Sequence, residues 1–251
     1  MLTFGKLGRY GRFANGLFQI ASTIGIAVKN GYQYGFPRWQ NYDHRNFNET
    51  EDIDVQKYFV NELPLLEDIE RYPERFIHWG YHGFDVPDNH SLVGHMQAPR
   101  YFMHCIDTIR HYFRMKDEPE QNDYVAIHFR GKDYYAGKEN YHPQCTREYY
   151  QKAAALFPDG TQFVIFTDDK EGWEKLGIGG NVSSGADYIQ DFKLMKRCKS
   201  FITSNSSYSL MAAILGEHPD KKIICPSIWF GDAAGPHMTG QDCYPEGAIV
   251  I

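Results

Sequence analysis

No apolar run in this sequence approaches the roughly 20 residues that a membrane-crossing helix needs. Cysteine is scarce and scattered: Cys105, Cys145, Cys198, Cys225 and Cys243 form no C-x-x-C pair. Their odd number favours free buried thiols over a disulfide framework or a zinc site. An excess of positive charge is missing too. Lys and Arg total 26 against 32 Asp and Glu, a net charge of −6, which argues against nonspecific nucleic-acid binding. Any anionic ligand must then be held by a few local cations and by backbone N–H groups. The opening Met1–Arg9 lacks the apolar core and small-residue cleavage site of a signal peptide, so the expectation is a cytoplasmic protein, free or peripheral to the inner face of a membrane. His78 and His82 have helical metal-pair spacing, but Gly80 and Gly83 read as loop, and no metal is expected there. The N-x-S/T sequences at Asn48, Asn89, Asn181 and Asn205 are read as chance matches. No repeat or low-complexity tract is visible.

What is present is concentrated in Val125-Ala-Ile-His-Phe-Arg-Gly-Lys-Asp-Tyr-Tyr135. The apolar run from Tyr124 to Ile127 reads as a buried strand that breaks into His128, Arg130, Lys132 and Asp133, with Gly131 permitting a sharp change of direction. An arginine fork matches phosphate oxygens, and an imidazole and a carboxylate can read a base. A solvated charged turn is the competing reading. Three further short runs follow, Phe163–Asp169, Phe201–Ser207 and Lys222–Pro226, separated by helical spacing over 146–156, 191–199 and 209–215. Strand–helix alternation implies a parallel sheet with crossover helices. Ligands bind beyond the carboxyl ends of such strands, so one crevice would collect Arg130, Asp168 and the serine run.

At 251 residues the chain suits one large domain or two small ones. The first segment is a glycine-rich turn, Gly5 to Gly11, ahead of a helix whose apolar stripe runs through Leu17, Ile20, Ile24 and Val28 to a stop at Gly31. Glycines before a helix start let backbone amides approach an anion, though an ordinary tight turn looks the same. Residues 38–65 read as irregular, 76–95 as short strand pieces, and 100–114 as an amphipathic helix. Lys116–Asp123 is the most linker-like stretch, which sets the expected domains at 1–118 and 119–251.

These pieces, in this order, resemble glycosyltransferase family 11, the α-1,2-fucosyltransferases, with wider similarity to GDP-fucose-dependent protein O- and α-1,6-fucosyltransferases. Gly11-Arg-Phe-Ala-Asn15 with Phe18-Gln19 matches the family's opening motif. His128-Phe-Arg-Gly-Lys-Asp-Tyr134 follows its H-x-R-R-G-D-Y motif, with Gly131 in place of the second arginine and Lys132 in place of the glycine. Phe163–Asp169 follows the Phe-x-Ile-Phe-Ser-Asp-Asp strand. Asp191, Met195 and Cys198, then Asn205-Ser-Ser-Tyr-Ser209, follow a helix and a serine motif. Gly94-His-Met-Gln-Ala-Pro-Arg-Tyr-Phe102 resembles a glycine-aromatic-Gln stretch, with His95-Met96 replacing the aromatic. The likeness runs from Gly8 to Phe230.

The resemblance implies an α/β protein of GT-B type: two Rossmann-like halves with the active site between them, acceptor on the N-terminal side and nucleotide on the C-terminal side. It implies inverting transfer of fucose from GDP-fucose to an oligosaccharide or glycoconjugate, an α-1,2 link to terminal galactose, and no metal cofactor. Arg130 would meet the charge growing on the β-phosphate, with Asn15 near the fucosyl-phosphate junction. Glu139, in a stretch resembling α-1,6-fucosyltransferases, would be the base, with His142 as second choice. GDP-fucose would be held by Gly11, Arg12, His128, Asp133, Asp168, Asp191, Ser206, Ser207 and Tyr208, His128 and Asp191 being the guanine contacts. A helix cap is the alternative reading of Asp191 and of the two serines. Three other functions stay open: a protein O-fucosyltransferase-like enzyme, another GDP-sugar transferase, and a catalytically silent carbohydrate-binding protein on the same fold.

Overall fold

A computed structural model describes residues 1–41, 53–131, 141–183, 187–235 and 238–251. The chain divides into two compact units, Met1–Asp117 and Glu118–Ile251. Glu118 opens the second unit, where its carboxylate pairs with Lys196 and Arg197.

The first unit contains β1 (Leu2–Thr3), α1 (Phe13–Asn30), β2 (Gln40–Asn41), β3 (Ile53–Asp54), β4 (Glu74–Phe76), β5 (His90–Val93) and α2 (Ile106–Tyr112). A three-stranded parallel sheet has the order β1-β5-β4, with Leu2 opposite His90 and Phe76 opposite Val93. The expected apolar stripe understates α1. Every residue from Phe13 to Ala27 except Asn15 is buried, including Gln19, Ser22 and Thr23, while Val28 is 42% exposed. Two interior glycines, each costing about 1 kcal/mol of helix propensity relative to alanine, permit this enclosure. A Cβ on Gly16 would overlap the Trp39 indole, and one on Gly25 would overlap the backbone of Tyr101 and Phe102. Gly31 ends the helix in the left-handed region at φ 71°, as the sequence suggests.

The 100–114 helix is not continuous. Pro99–Tyr101 and Met103–Cys105 are single 3₁₀ turns, and only Ile106–Tyr112 is α-helical. Phe102, at φ −133°, is fully buried, and the backbone beside it lies against Gly25. Main-chain contact with α1 breaks a periodicity that predicts one smooth helix.

The second unit is built from β6 (Val125–Phe129), α3 (Arg147–Ala154), β7 (Phe163–Thr167), α4 (Lys170–Leu176), β8 (Asn181–Val182), α5 (Tyr188–Lys196), β9 (Ser200–Ile202), α6 (Ser207–Leu215), β10 (Ile223–Cys225) and β11 (Ile249–Val250). Its six strands are all parallel in the order β11-β10-β9-β6-β7-β8. The first strand in sequence is thus interior, and the chain winds outward on both sides of it. Strand alternation sorts the residues of β6. Val125, Ile127 and Phe129 enter a core with Tyr149, Tyr150 and Trp173 from α3 and α4. His128 points the other way, towards Tyr208 of α6, with ring centroids 5.5 Å apart. The apolar run predicts a strand that ends at Ile127, but His128 and Phe129 belong to it and are buried. Helix starts shift similarly. α5 begins three residues before Asp191, and α6 begins at Ser207.

Candidate functional site

β6 is followed by a helix on one face of the sheet, and its neighbour β9 by a helix on the other. The strand order therefore reverses between them, and the crevice at such a point is where open α/β sheets take ligands. His128, at the end of β6, lies 2.8 Å through Nδ1 from the Ser204 hydroxyl just past β9, so this pair spans the reversal. Burial, reinforced by the positive charge of Arg130, pushes the imidazole down to about 3, and it stays neutral at physiological pH. Among the described residues its Nε2 has no protein partner.

Arg130 follows directly and pairs with Asp168 at the end of β7, Nη1 to Oδ2 at 3.2 Å. The other Asp168 oxygen accepts the Gly131 N–H at 2.8 Å, so one carboxylate fixes both the guanidinium and the turn after β6. The two side chains are 20% and 29% exposed, and as an ion pair they contribute about 1 kcal/mol at most. Their importance is orientation. Asp169 instead caps α4, accepting from Gly172 N at 3.0 Å. The contiguous Asp168-Asp169 pair is thereby divided between holding Arg130 and capping α4. Gly131 has a steric reason, since a Cβ there would overlap the Asp169 side chain.

The wall beyond His128 comes from α5 and α6. Tyr208 sits between His128 and Phe192 and donates its hydroxyl to the Tyr188 carbonyl. Burial and then the carboxylates of Asp191 and Asp187 hold its pKa well above the ordinary tyrosine value. Asp191 does not cap α5; Asp187 does, accepting from Ile189 N and Gln190 N at 2.8 and 2.9 Å. That removes the cap reading of Asp191, whose carboxylate instead accepts from the Ser183 hydroxyl at 2.8 Å. Burial raises its pKa, partly offset by Ser183. Ser206 does cap its helix, its hydroxyl 3.4 Å from Tyr208 N, and Ser207 is the first helical residue.

Asn205, which the sequence places in a serine run and in a chance N-x-S match, is 2% exposed and ties neighbouring loops together. Its amide donates to the carbonyls of Pro143 and Trp229 at 2.8 and 3.1 Å. A neighbouring open recess of about 620 Å³ is lined by residues that include Trp229, Phe230, Met238 and Tyr244. Ser204, Asn205 and Asp187 are the residues the sequence reading missed. Asp187 was detectable as an acidic residue two positions before Ile189. Nothing in one dimension marks Ser204 as the partner of His128.

Gly11, Arg12 and Asn15 belong to the first unit. Gly11 has φ +99°, and the Asn15 side chain fills the space a Cβ would need. Arg12 is exposed and precedes α1 without a side-chain cap. Asn15 Oδ1 accepts from Gln97 Nε2 at 2.6 Å. Asp133 and Glu139 lie outside the described residues. Tyr141, His142 and Phe230 form an aromatic trio with centroids 4.8–5.8 Å apart. All five cysteines are free. Among the described residues no three His, Cys, Asp or Glu side chains cluster as metal ligands would, and no helix is long and apolar enough to cross a membrane.

A doubly wound parallel sheet with an arginine held at its carboxyl edge, in a chain that also contains a smaller parallel α/β unit, defines a GT-B-like protein. Its fold is shared with POFUT1 in complex with GDP-fucose, at TM-score 0.54 and 13% identity over 89% of this chain and 97% of that one. The chain belongs to glycosyl transferase family 11, whose model matches residues 56–232. Relatives include the O-antigen biosynthesis glycosyltransferase WbnK of Escherichia coli, 29% identical over 122 residues, which are 44% of this chain and 40% of that protein. An alpha-1,2-colitosyltransferase of Escherichia coli is 26% identical over 164 residues, 56% of each chain. The matches thus span about half the length of these relatives.

Proposed function

We propose that this protein is a glycosyltransferase that moves fucose from GDP-fucose to a glycan acceptor with inversion, forming an α-1,2 link to a terminal galactose, and that it needs no metal. The observation that carries the reading is Arg130, held by Asp168 where β6 and β7 end. Departure of GDP builds charge on the β-phosphate, and a pre-oriented guanidinium stabilises that charge without reorganising. Asp191 is a partly buried carboxylate with one hydroxyl partner, and the N1–H and 2-amino group of guanine would complete its hydrogen bonding. His128 offers Nε2 on the same wall, beside Tyr208 and the Ser206–Ser207 helix start. In this reading Gly11, Arg12 and Asn15 serve the sugar-phosphate junction, Asp133 assists in holding the donor, and Glu139 takes the proton of the acceptor hydroxyl. The relative named for an α-1,2 transfer and the fold shared with a GDP-fucose complex support the linkage and the donor.

The test is GDP release from GDP-fucose with and without lactose, followed by NMR of the product linkage. Acceptor-dependent release and an α-1,2-fucosyl galactose are expected. No release, or a different linkage, sinks the proposal. A second reading, transfer of a colitosyl residue, is favoured by the colitosyltransferase likeness. Competition between the GDP conjugates of the two sugars decides between them.

A further inference from the structure

The first unit carries its own carboxyl-edge crevice. The loop after β1 supplies Tyr10, the loop after β4 supplies Trp79, and the loop after β5 supplies His95. These three side chains meet: the His95 ring centroid is 4.8 Å from that of Tyr10 and 6.1 Å from that of Trp79. All three are half-buried, so each keeps part of its ring in contact with solvent.

The segment bearing His95 is held in a costly shape. Gly94 has φ +147°, where a Cβ would overlap the Ile77 carbonyl, and Met96 adopts φ +48°, a left-handed conformation that non-glycine residues avoid. Packing holds it there. Ser22 Oγ donates to the Met96 carbonyl at 2.8 Å, and the next residue, Gln97, donates to Asn15 at 2.6 Å. Strain of this kind persists where surrounding structure over-determines it, and it clusters at ligand sites.

His95 Nδ1 is enclosed and has no hydrogen-bond partner among the described residues, while Nε2 is not enclosed. An orphaned buried N–H is rarer than an under-satisfied acceptor, which keeps the proton off Nδ1 and on Nε2. Burial also holds the His95 pKa below its ordinary value, so the ring is neutral near pH 7. The outcome is a fixed N–H donor between two aromatic rings. Aromatic faces accept the apolar faces of sugar rings, and a neutral donor suits a hydroxyl oxygen better than an anion.

We propose that Tyr10, Trp79 and His95 form a sugar-binding subsite in the first unit, in which His95 Nε2–H donates to a hydroxyl oxygen of the acceptor glycan. Calling the occupant an acceptor rests on the transferase reading above; the subsite itself does not. His95 is then a specificity-determining residue, rejecting sugars that lack the hydroxyl it addresses.

The experiment titrates lactose against the full chain by saturation-transfer NMR, with GDP affinity measured by calorimetry on the same samples. His95→Phe keeps a ring and removes the donor, and should weaken lactose about tenfold with GDP affinity unchanged. His95→Gln puts an amide N–H at the Nε2 position and should stay within about twofold of wild type. Should His95→Phe fail to fold, Tyr10→Leu removes one aromatic face and should weaken lactose with GDP unaffected. Wild-type lactose affinity in the folded His95→Phe and Tyr10→Leu variants, or no saturation transfer to lactose in the wild type, overturns the subsite. A wild-type chain that binds lactose through His95 but neither binds GDP nor releases it from GDP-fucose overturns the transferase reading and leaves the subsite standing.

Discussion

Arg130 and Asp168 form a pair whose stability contribution is small and whose geometric role is large. The carboxylate spends one oxygen on the guanidinium and the other on the Gly131 N–H, so the fork is fixed relative to the backbone. Arg130→Lys keeps the charge but loses the planar fork, and should lower transfer nearly as far as Arg130→Ala, by about 100-fold or more. Near-normal turnover of the lysine variant in a GDP-release assay would remove Arg130 from the donor site. His128 gives a prediction of a different kind. Its folded pKa of about 3 lies below the ordinary 6.5. The unfolded chain therefore takes up a proton near pH 6.5 that the folded chain refuses until about pH 3. The contribution of His128 is whole above that window and is lost as pH falls through it, by up to about 1.4 kcal/mol per pH unit. Melting curves between pH 4.5 and 7 should show a shallower slope for His128→Asn, a neutral side chain that still reaches Ser204. Equal slopes for variant and wild type would mean that His128 titrates normally. Arginine and histidine at a strand end were legible in the sequence. Ser204, 76 residues away, was not, because only sheet pairing brings the two chain positions together.

Helix starts are set by caps, and α5 shows how a cap and a proposed site carboxylate separate. Asp187 accepts two backbone N–H groups, whereas Asp191, one turn later, faces Ser183. Asp187→Ala should lower stability by about 1 kcal/mol in denaturant unfolding and leave GDP affinity near wild type. Asp191→Asn should do the reverse, weakening GDP by roughly 2–4 kcal/mol while the melting temperature holds, if the carboxylate reads guanine. A melting-temperature loss with unchanged GDP affinity in Asp191→Asn would leave that residue a structural role only. The turn after β6 is tested by Gly131→Ala. Its Cβ must push aside Asp169, the cap of α4, and the overpacking should destabilise by roughly 1–3 kcal/mol in the same unfolding assay. An unchanged stability would show that this corner yields at no cost. The broken 99–112 segment shows what periodicity misses. Its apolar spacing is helical, but main-chain contact at Gly25 holds Tyr101 and Phe102 out of a regular helix.

For the molecule as a whole, the proposed chemistry places its positive charge on side chains. Transfer should therefore keep its rate in excess EDTA. Loss of activity restored by Mg²⁺ or Mn²⁺ would replace Arg130 as the principal charge-stabilising group and reopen the mechanism. The same assay with GDP-fucose and lactose reads both outcomes, because an enzyme that ignores chelator and still requires Arg130 leaves little else to neutralise the departing diphosphate.

The sequence by itself determined the alternation of short apolar runs with helical spacing, hence a parallel α/β architecture, and the clustering of Arg130, Asp168 and the serines near strand ends. These are local properties: period, turn residues and the chemistry next to a strand terminus all lie within a few residues of one another. The tertiary structure alone decided which strand is interior, and so that the order reverses between β6 and β9. It decided that His128 faces α6 rather than the Trp173 core, that Asp168 holds Arg130 while Asp169 caps a helix, and that Tyr10, Trp79 and His95 meet. Each of these depends on pairing between segments tens of residues apart. That pairing is chosen by the total burial of apolar surface, which no local window of sequence contains.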